Sequence, residues 1–161
     1  MLDVRQPRES HPFEVLGDTV LESPTFTIRV GPLRGAGPLP SDDSLLLAFD
    51  AHVRIDIDGR VWFDEPDLPV LELAVAVYTW LRTGGNLQFD SMEADESPFL
   101  AIERYNGGCR LTAAWQSYDE SRLIPAQFVE AAFSDFAVGV FEVVHSRFGV
   151  DVSHLGDGLP N

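Results

Sequence analysis

The stretch of residues 45–63, LLLAFDAHVRIDIDGRVWF, alternates apolar and polar residues over most of its length. Every odd position from Leu45 to Ile57 is apolar, and every even position from Asp50 to Asp58 is His or a charged residue. A period of two predicts a β-strand with one buried face and one exposed face. The predicted fold therefore starts from a half-buried strand.

An Asp-Gly pair follows this strand and predicts a hairpin. A two-residue loop would set the apolar face of one strand against the polar face of the next, so we expect a three-residue loop at residues 57–59 with a glycine bulge. In that register Arg54 lies opposite Trp62, which predicts a cation–π contact on the exposed face. His52 likewise lies opposite Asp64, which predicts an ion pair.

A second hairpin is predicted over residues 99–115. Its centre is Asn106 and Gly107, the pair most typical of a type I′ turn. The two-residue loop pairs Ile102 with Leu111 on the apolar face. Shorter strands are predicted before each hairpin, at residues 25–30 and 87–90.

Each hairpin precedes a segment with helical signals. Residues 70–81 are apolar nearly all round, which predicts a buried helix with Asp67 as its N-cap and Gly84 as its C-terminal stop. Residues 125–148 carry apolar side chains at intervals of four, and Gly139 in their middle either permits close helix packing or weakens the helix. This order predicts an α+β domain, with a mainly antiparallel sheet of about five or six strands and both helices on one face.

The length of 161 residues fits a single domain. Its ends, about residues 1–12 and 155–161, are rich in polar residues, Pro and Gly and are predicted to be loosely ordered. The start lacks the apolar region of a signal peptide, and the single Cys109 fits a reducing compartment, so a cytoplasmic location is predicted. Cys109 itself is predicted to be a small buried apolar group rather than a nucleophile.

The charge balance is strongly acidic. Eleven basic residues face 26 acidic ones, giving a formal net charge of −15. Such a field repels nucleic acid and anionic membranes and attracts cationic partners. We therefore expect a basic protein partner, with no nucleic acid and no membrane.

The sequence contains no nucleophile elbow, phosphate loop, dinucleotide fingerprint or zincin helix, so no enzymatic activity and no cofactor is predicted. Alternate residues on a strand stand nearly 7 Å apart and do not converge on a metal ion, which argues against a metal site on the first strand. An alternative function remains a small enzyme or metal-binding protein that uses His52 with Asp50 or Asp64.

Four carboxylates lie within seven residues in the acidic segment, residues 90–96. Other acids fall in predicted connections close to Trp62 and Tyr118. Aromatic anchors surrounded by charge are typical of a tight protein interface. The predicted partner-binding residues are Asp90, Glu93, Asp95, Glu96, Trp62, Arg54, His52, Asp56 and Tyr118.

Three stretches resemble a group of small bacterial proteins of unknown function: DGRVWFDEP at residues 58–66, the apolar helix ending in Trp80 and Leu81, and FDSM at residues 89–92. Their arrangement is similar to that of immunity proteins of polymorphic toxin systems, which are compact, acidic, cytosolic α+β domains. The resemblance implies a protein that neutralises a cognate toxin by binding it. A further alternative is a DNA mimic that occupies a nucleic-acid enzyme by charge alone.

Overall fold

A computed structural model describes residues 25–35, 37–40, 43–91, 98–152 and 155. The ends predicted to be loosely ordered lie outside these residues, apart from Leu155. The elements in chain order are β1 (Phe26–Val30), β2 (Arg34–Gly35), a 3-10 helical turn (Asp43–Leu47), β3 (Phe49–Ile57), β4 (Arg60–Pro69), α1 (Val70–Thr83), β5 (Leu87–Phe89), β6 (Leu100–Tyr105), β7 (Gly108–Ala113) and α2 (Ala126–Phe148).

The first sheet is built around β3, which pairs antiparallel with β1, β2 and β4. β1 pairs with residues 53–57 of β3, and β2 pairs with Phe49 and Asp50. Because β4 pairs with β3 over both of these ranges, β1 and β2 must follow each other along the opposite edge. The predicted strand is thus central, but it begins only at Phe49, since residues 43–47 form the 3-10 turn.

The loop between β3 and β4 differs from the predicted one. Ile57 pairs with Arg60, so the loop has two residues, and both Asp58 (φ 50°) and Gly59 (φ 76°) have the positive φ of a type I′ turn. A two-residue loop alone would set the apolar face of β3 against the polar face of β4. The register shifts farther along β4, where Trp62 is the extra residue of a bulge, and this shift removes the mismatch. The three-residue loop was wrong because the irregularity lies inside the strand and not in the turn.

The second sheet contains β5, β6 and β7, all antiparallel. The predicted second hairpin is confirmed: Ile102 pairs with Leu111, and Gly107 has a φ of 94°. The prediction of a single sheet was wrong, because a loop, and not a strand of the second hairpin, contacts the outer edge of β4. The N–H of Ser117 donates to the carbonyl of Trp62 at 2.7 Å.

Both helices form where they were predicted. Gly84 ends α1 with a φ of 74° and donates its N–H to the Trp80 carbonyl, as expected. The prediction of Asp67 as N-cap is wrong, because β4 continues to Pro69, which takes the N-cap position; the carboxylate of Asp67 binds Arg34 at 2.7 Å. α1 packs against α2 and β3, while α2 also packs against β1. No helix within the described ranges is both long and apolar enough to cross a membrane.

The core lies between the helices and the inner faces of the sheets. Its largest fully buried side chains include Trp62, Phe49, Phe133, Ile55 and Ile57. Cys109 is also fully buried, as predicted. Burial raises the pKa of its thiol, which keeps it protonated and unreactive.

Candidate functional site

His52 and Asp64 make the predicted contact on the exposed face of the first sheet, although the predicted register is wrong and Asp64 stands opposite Arg54. The imidazole Nε2 of His52 contacts the carboxylate of Asp64, and both side chains are about half exposed. No group of three His, Cys, Asp or Glu side chains among the described residues could hold a metal ion.

Arg54 and Asp56 bind each other on the same face. The Nε of Arg54 donates to the two carboxylate oxygens of Asp56 at 2.9 and 3.2 Å. Asp56 is only 5% exposed, so its charge is satisfied within the chain. The predicted contact of Arg54 with Trp62 is wrong, because the bulge turns Trp62 into the core, where it is 0% exposed.

Tyr118 lies in a second polar cluster beside the turn between β3 and β4. The guanidinium of Arg60 stacks over the Tyr118 ring at 4.0 Å. Arg122 donates to both carboxylate oxygens of Glu120 at 2.8 and 2.9 Å, and these bonds lower the pKa of that carboxyl group. Burial raises the pKa of the Tyr118 hydroxyl. This cluster is held together by the chain's own charges.

The acidic segment begins at the end of β5. Asp90 is exposed there. The next residue, Ser91, is buried and donates its hydroxyl to the buried Glu72 carboxylate at 3.0 Å, which fixes the start of the segment against α1. The other predicted residues of the segment, Glu93, Asp95 and Glu96, lie outside the described residues.

A pocket of about 130 Å³ lies next to the start of the acidic segment. One wall is Trp115, which is 47% exposed and packs edge-to-face on Phe99, with ring centroids 5.2 Å apart. We call this cavity the Trp115 pocket. Its lining residues are Glu65, Asp67, Leu68, Pro69, Ser91, Phe99 and Trp115.

The Trp115 pocket joins two acidic stretches that are distant in sequence. Glu65 and Asp67 come from the end of β4, and Ser91 stands between Asp90 and the remainder of the acidic segment. An exposed tryptophan thus lies in one pocket with Glu65, Asp67 and Ser91, the second residue of the acidic segment. The aromatic anchors expected from the sequence were Trp62 and Tyr118; Trp62 is buried, and the exposed tryptophan is Trp115.

Sequence reasoning missed Trp115 because the alternation of β7 was extended too far. Odd positions of β7 point inward, as Cys109 and Leu111 do, but the strand ends at Ala113. The side chain of Gln116 accepts the Ala113 N–H at 2.9 Å and closes a turn there. The polar run Gln116–Ser117 was the available signal that the strand had already ended.

Two larger open grooves occur elsewhere. One, of about 590 Å³, lies between β1 and α2 and is lined mainly by apolar side chains. The other, of about 570 Å³, runs between α1 and β5 and reaches Asp90 at one end. The second groove therefore reaches the first residue of the acidic segment.

Most arginines of the described ranges are engaged within the chain. They bind carboxylates, carbonyl oxygens or aromatic rings of the same chain. These contacts are Arg34 with Asp67, Arg54 with Asp56, Arg60 with Tyr118, Arg82 with Tyr78, Arg104 with Glu130, Arg110 with Tyr105, Arg122 with Glu120, and Arg147 with Phe148.

Comparison with known proteins adds one finding. No curated protein and no solved structure matches the chain. The model of a family described as a domain of unknown function, DUF7878, matches residues 39–145, which include β3, β4, α1, the second sheet and the Trp115 pocket. The chain therefore belongs to the DUF7878 family.

Proposed function

We propose that this protein is a non-enzymatic binding protein for a basic protein partner, and specifically an immunity-type inhibitor of a basic toxin. The observation that carries the proposal is the exposed Trp115 in one pocket with Glu65, Asp67 and Ser91, on a chain with a net charge of −15. A cytoplasmic location belongs to the same proposal.

The surface around Trp115 combines the two properties that a fast and tight interface needs. Its negative field attracts a basic partner over distance and speeds encounter. Tryptophan is among the residues that contribute most to binding energy once a partner excludes water from it. The proposed contact surface therefore consists of the Trp115 pocket and the acidic segment, including Asp90, Glu93, Asp95 and Glu96.

The outer face of the first sheet contributes less to this proposal. Trp62 is buried, and the ring of Tyr118 is covered by Arg60. Arg54 and Asp56 satisfy each other. His52 is exposed and stays in the proposal as a residue at the border of the surface.

The test identifies the partner and then measures the electrostatic part of its binding. Proteins that copurify with the chain are identified by mass spectrometry, and the affinity of the purified partner is measured by calorimetry at low and high salt. Replacing Asp90, Glu93, Asp95 and Glu96 together by Asn or Gln should weaken binding at least about tenfold at low salt and less at high salt, since screening already removes part of the attraction.

A control variant changes the net charge by the same amount at exposed positions that do not line the Trp115 pocket. It replaces Glu103, Asp135, Glu142 and Asp151 by Asn or Gln, and we expect only a small loss of affinity. An acidic partner, or an affinity that neither salt nor the first variant alters, would refute the proposal. Growth arrest by the partner alone, relieved by coproduction of this chain, would support the toxin part.

A further inference from the structure

Each of the three tyrosine rings of the chain has one of the chain's own arginines over it. Arg60 stacks over Tyr118 at 4.0 Å, and Arg110 stacks over Tyr105 at 5.0 Å. Arg82 lies 5.5 Å from the ring of Tyr78 in the same way, and even the buried Trp80 has Arg104 at 4.9 Å. Arginine on an aromatic face is therefore a contact that this fold uses repeatedly.

Among the exposed rings of the described residues, Phe128 and Trp115 have no arginine over them, and Trp115 is the more exposed of the two. No arginine in the part of the chain that the structure describes lies over its ring, although tryptophan binds cations better than tyrosine or phenylalanine does. Phe99 packs edge-to-face with the Trp115 ring, and 47% of the Trp115 surface is exposed to solvent. The exposed ring best suited to a cation is thus one that the chain leaves uncovered.

The charge of the Trp115 pocket also favours a cation. Asp67 is already paired with Arg34 at 2.7 Å, but Glu65 has only the backbone N–H of Asp67, at 3.4 Å, among its described hydrogen-bond partners. Within the described residues no arginine lies within ion-pair distance of Glu65. The carboxylate of Glu65 is therefore available to a positive group that enters the pocket.

The size and floor of the pocket limit what can enter. At about 130 Å³ it is well below the roughly 300 Å³ at which small-molecule sites begin, so it suits the end of one side chain. Leu68, Pro69 and Phe99 supply apolar surface for an alkyl stem. A guanidinium group can stack on the indole and bind a carboxylate with its fork of donors, which an ammonium group cannot do equally well.

We propose that the basic partner inserts an arginine side chain into the Trp115 pocket, with its guanidinium over the indole of Trp115 and against the carboxylate of Glu65. This inference rests on the proposed function and names the group that the partner must present. It also predicts a preference for arginine over lysine that general acidity alone would not produce.

Trp115 can be observed separately from the other tryptophans. Trp62 and Trp80 are 0% and 3% exposed, so only Trp115 among the three tryptophans is accessible to an added peptide. The protein is labelled with 5-fluorotryptophan, and the three fluorine signals are assigned with single Trp→Phe variants. An oligoarginine peptide is then added, with oligolysine and the neutral oligocitrulline as matched peptides.

We expect the Trp115 signal to shift with oligoarginine, less with oligolysine and not with oligocitrulline. Glu65→Gln should weaken the oligoarginine response of Trp115 about 3- to 10-fold, while the control Glu142→Gln on α2 should leave it unchanged. Trp115→Leu removes the reporter, so calorimetry is used for that variant, after circular dichroism has shown that it folds.

The outcomes separate this inference from the proposed function. If oligoarginine binds by calorimetry while the Trp115 signal stays in place, the arginine site is refuted and binding through the acidic segment stands. An equal shift with oligolysine would also refute the arginine site. If the natural partner proves to be acidic, the proposed function itself fails and this inference fails with it.

Discussion

Glu120 is a carboxylate that the fold buries and then neutralises with one arginine. Its side chain is almost completely covered, and Arg122 binds both of its oxygens as well as donating its backbone N–H. Burial alone would raise the pKa of this carboxyl group, but the hydrogen bonds from Arg122 outweigh burial and lower it below 4.5. The charged form is therefore stabilised by folding.

This shift predicts how stability depends on pH. Because the folded pKa lies below the unfolded one, the contribution of Glu120 is fully present above about pH 4.5 and is lost as the pH falls through the folded pKa. Glu120→Gln should lower the free energy of unfolding by about 1–3 kcal/mol near pH 7, and the difference from wild type should shrink below about pH 4.5. Urea unfolding at a series of pH values measures both quantities.

Glu142→Gln is the matched control, since Glu142 is exposed on α2 and should change stability by less than about 0.5 kcal/mol. A difference between wild type and Glu120→Gln that stays constant from neutral pH to about pH 3 would contradict the proposed role of ionisation.

The two tryptophans show how far the sequence could predict the site. Trp62 was expected on the exposed face but is buried, and Trp115, which the sequence pattern did not single out, is exposed. A bulge of one residue inside β4 turns Trp62 inward, and β7 ends at Ala113, two residues before Trp115. Alternation predicts that a strand exists, but it fixes the face only while the register is unbroken.

At the scale of elements, prediction was most successful where a turn and an alternation agreed. The second hairpin has Asn-Gly at a two-residue turn and matching faces on both strands, so its register was predictable. In the first hairpin the turn residues demanded one register and the alternation demanded another. Only tertiary packing could show that β4 reconciles them with a bulge.

Gly139 settles a question about α2 that the sequence left open. A Cβ at this position would meet no atom within 4 Å, so the glycine is not needed for close packing against α1. Gly139→Ala should therefore stabilise the protein by about 0.5–1 kcal/mol, because alanine is the better helix former. The midpoint of urea unfolding measures the change.

Gly108→Ala is the matched opposite case. A Cβ there would lie 2.7 Å from the carbonyl oxygen of Ile124, which pairs with the strand at Cys109. Backbone atoms cannot move away from so close a contact without a large cost in free energy, so Gly108→Ala should clearly lower the free energy of unfolding. If Gly139→Ala also destabilised the protein, the inference that its surroundings are open would be wrong.

At the scale of the whole molecule, the α+β class and both helices were predictable, whereas the division into two sheets was not. The predicted single sheet requires a strand of the second hairpin to pair with β4, and the loop at Ser117 takes that position. Such a contact between distant parts of the chain has no local signal in the sequence. The net charge, in contrast, is independent of these details.

This net charge predicts how salt affects folding. A charge of −15 opposes the compact state through self-repulsion, and salt screens that repulsion. Salt also weakens ion pairs such as Arg34–Asp67, but exposed pairs of this kind contribute only about 0–1 kcal/mol each. We therefore expect the melting temperature to rise by several degrees between about 0.02 and 0.3 M NaCl.

Two comparisons decide whether repulsion is the cause. Near pH 4.4, the isoelectric point of the sequence, the net charge is close to zero and the effect of NaCl should nearly vanish. Replacing Asp90, Glu93, Asp95 and Glu96 by Asn and Gln should roughly halve the effect at neutral pH, since self-repulsion grows with the square of the net charge. A melting temperature that instead falls as NaCl is added would show that the internal ion pairs outweigh the repulsion, and that the negative surface is better balanced than a search for a basic partner assumes.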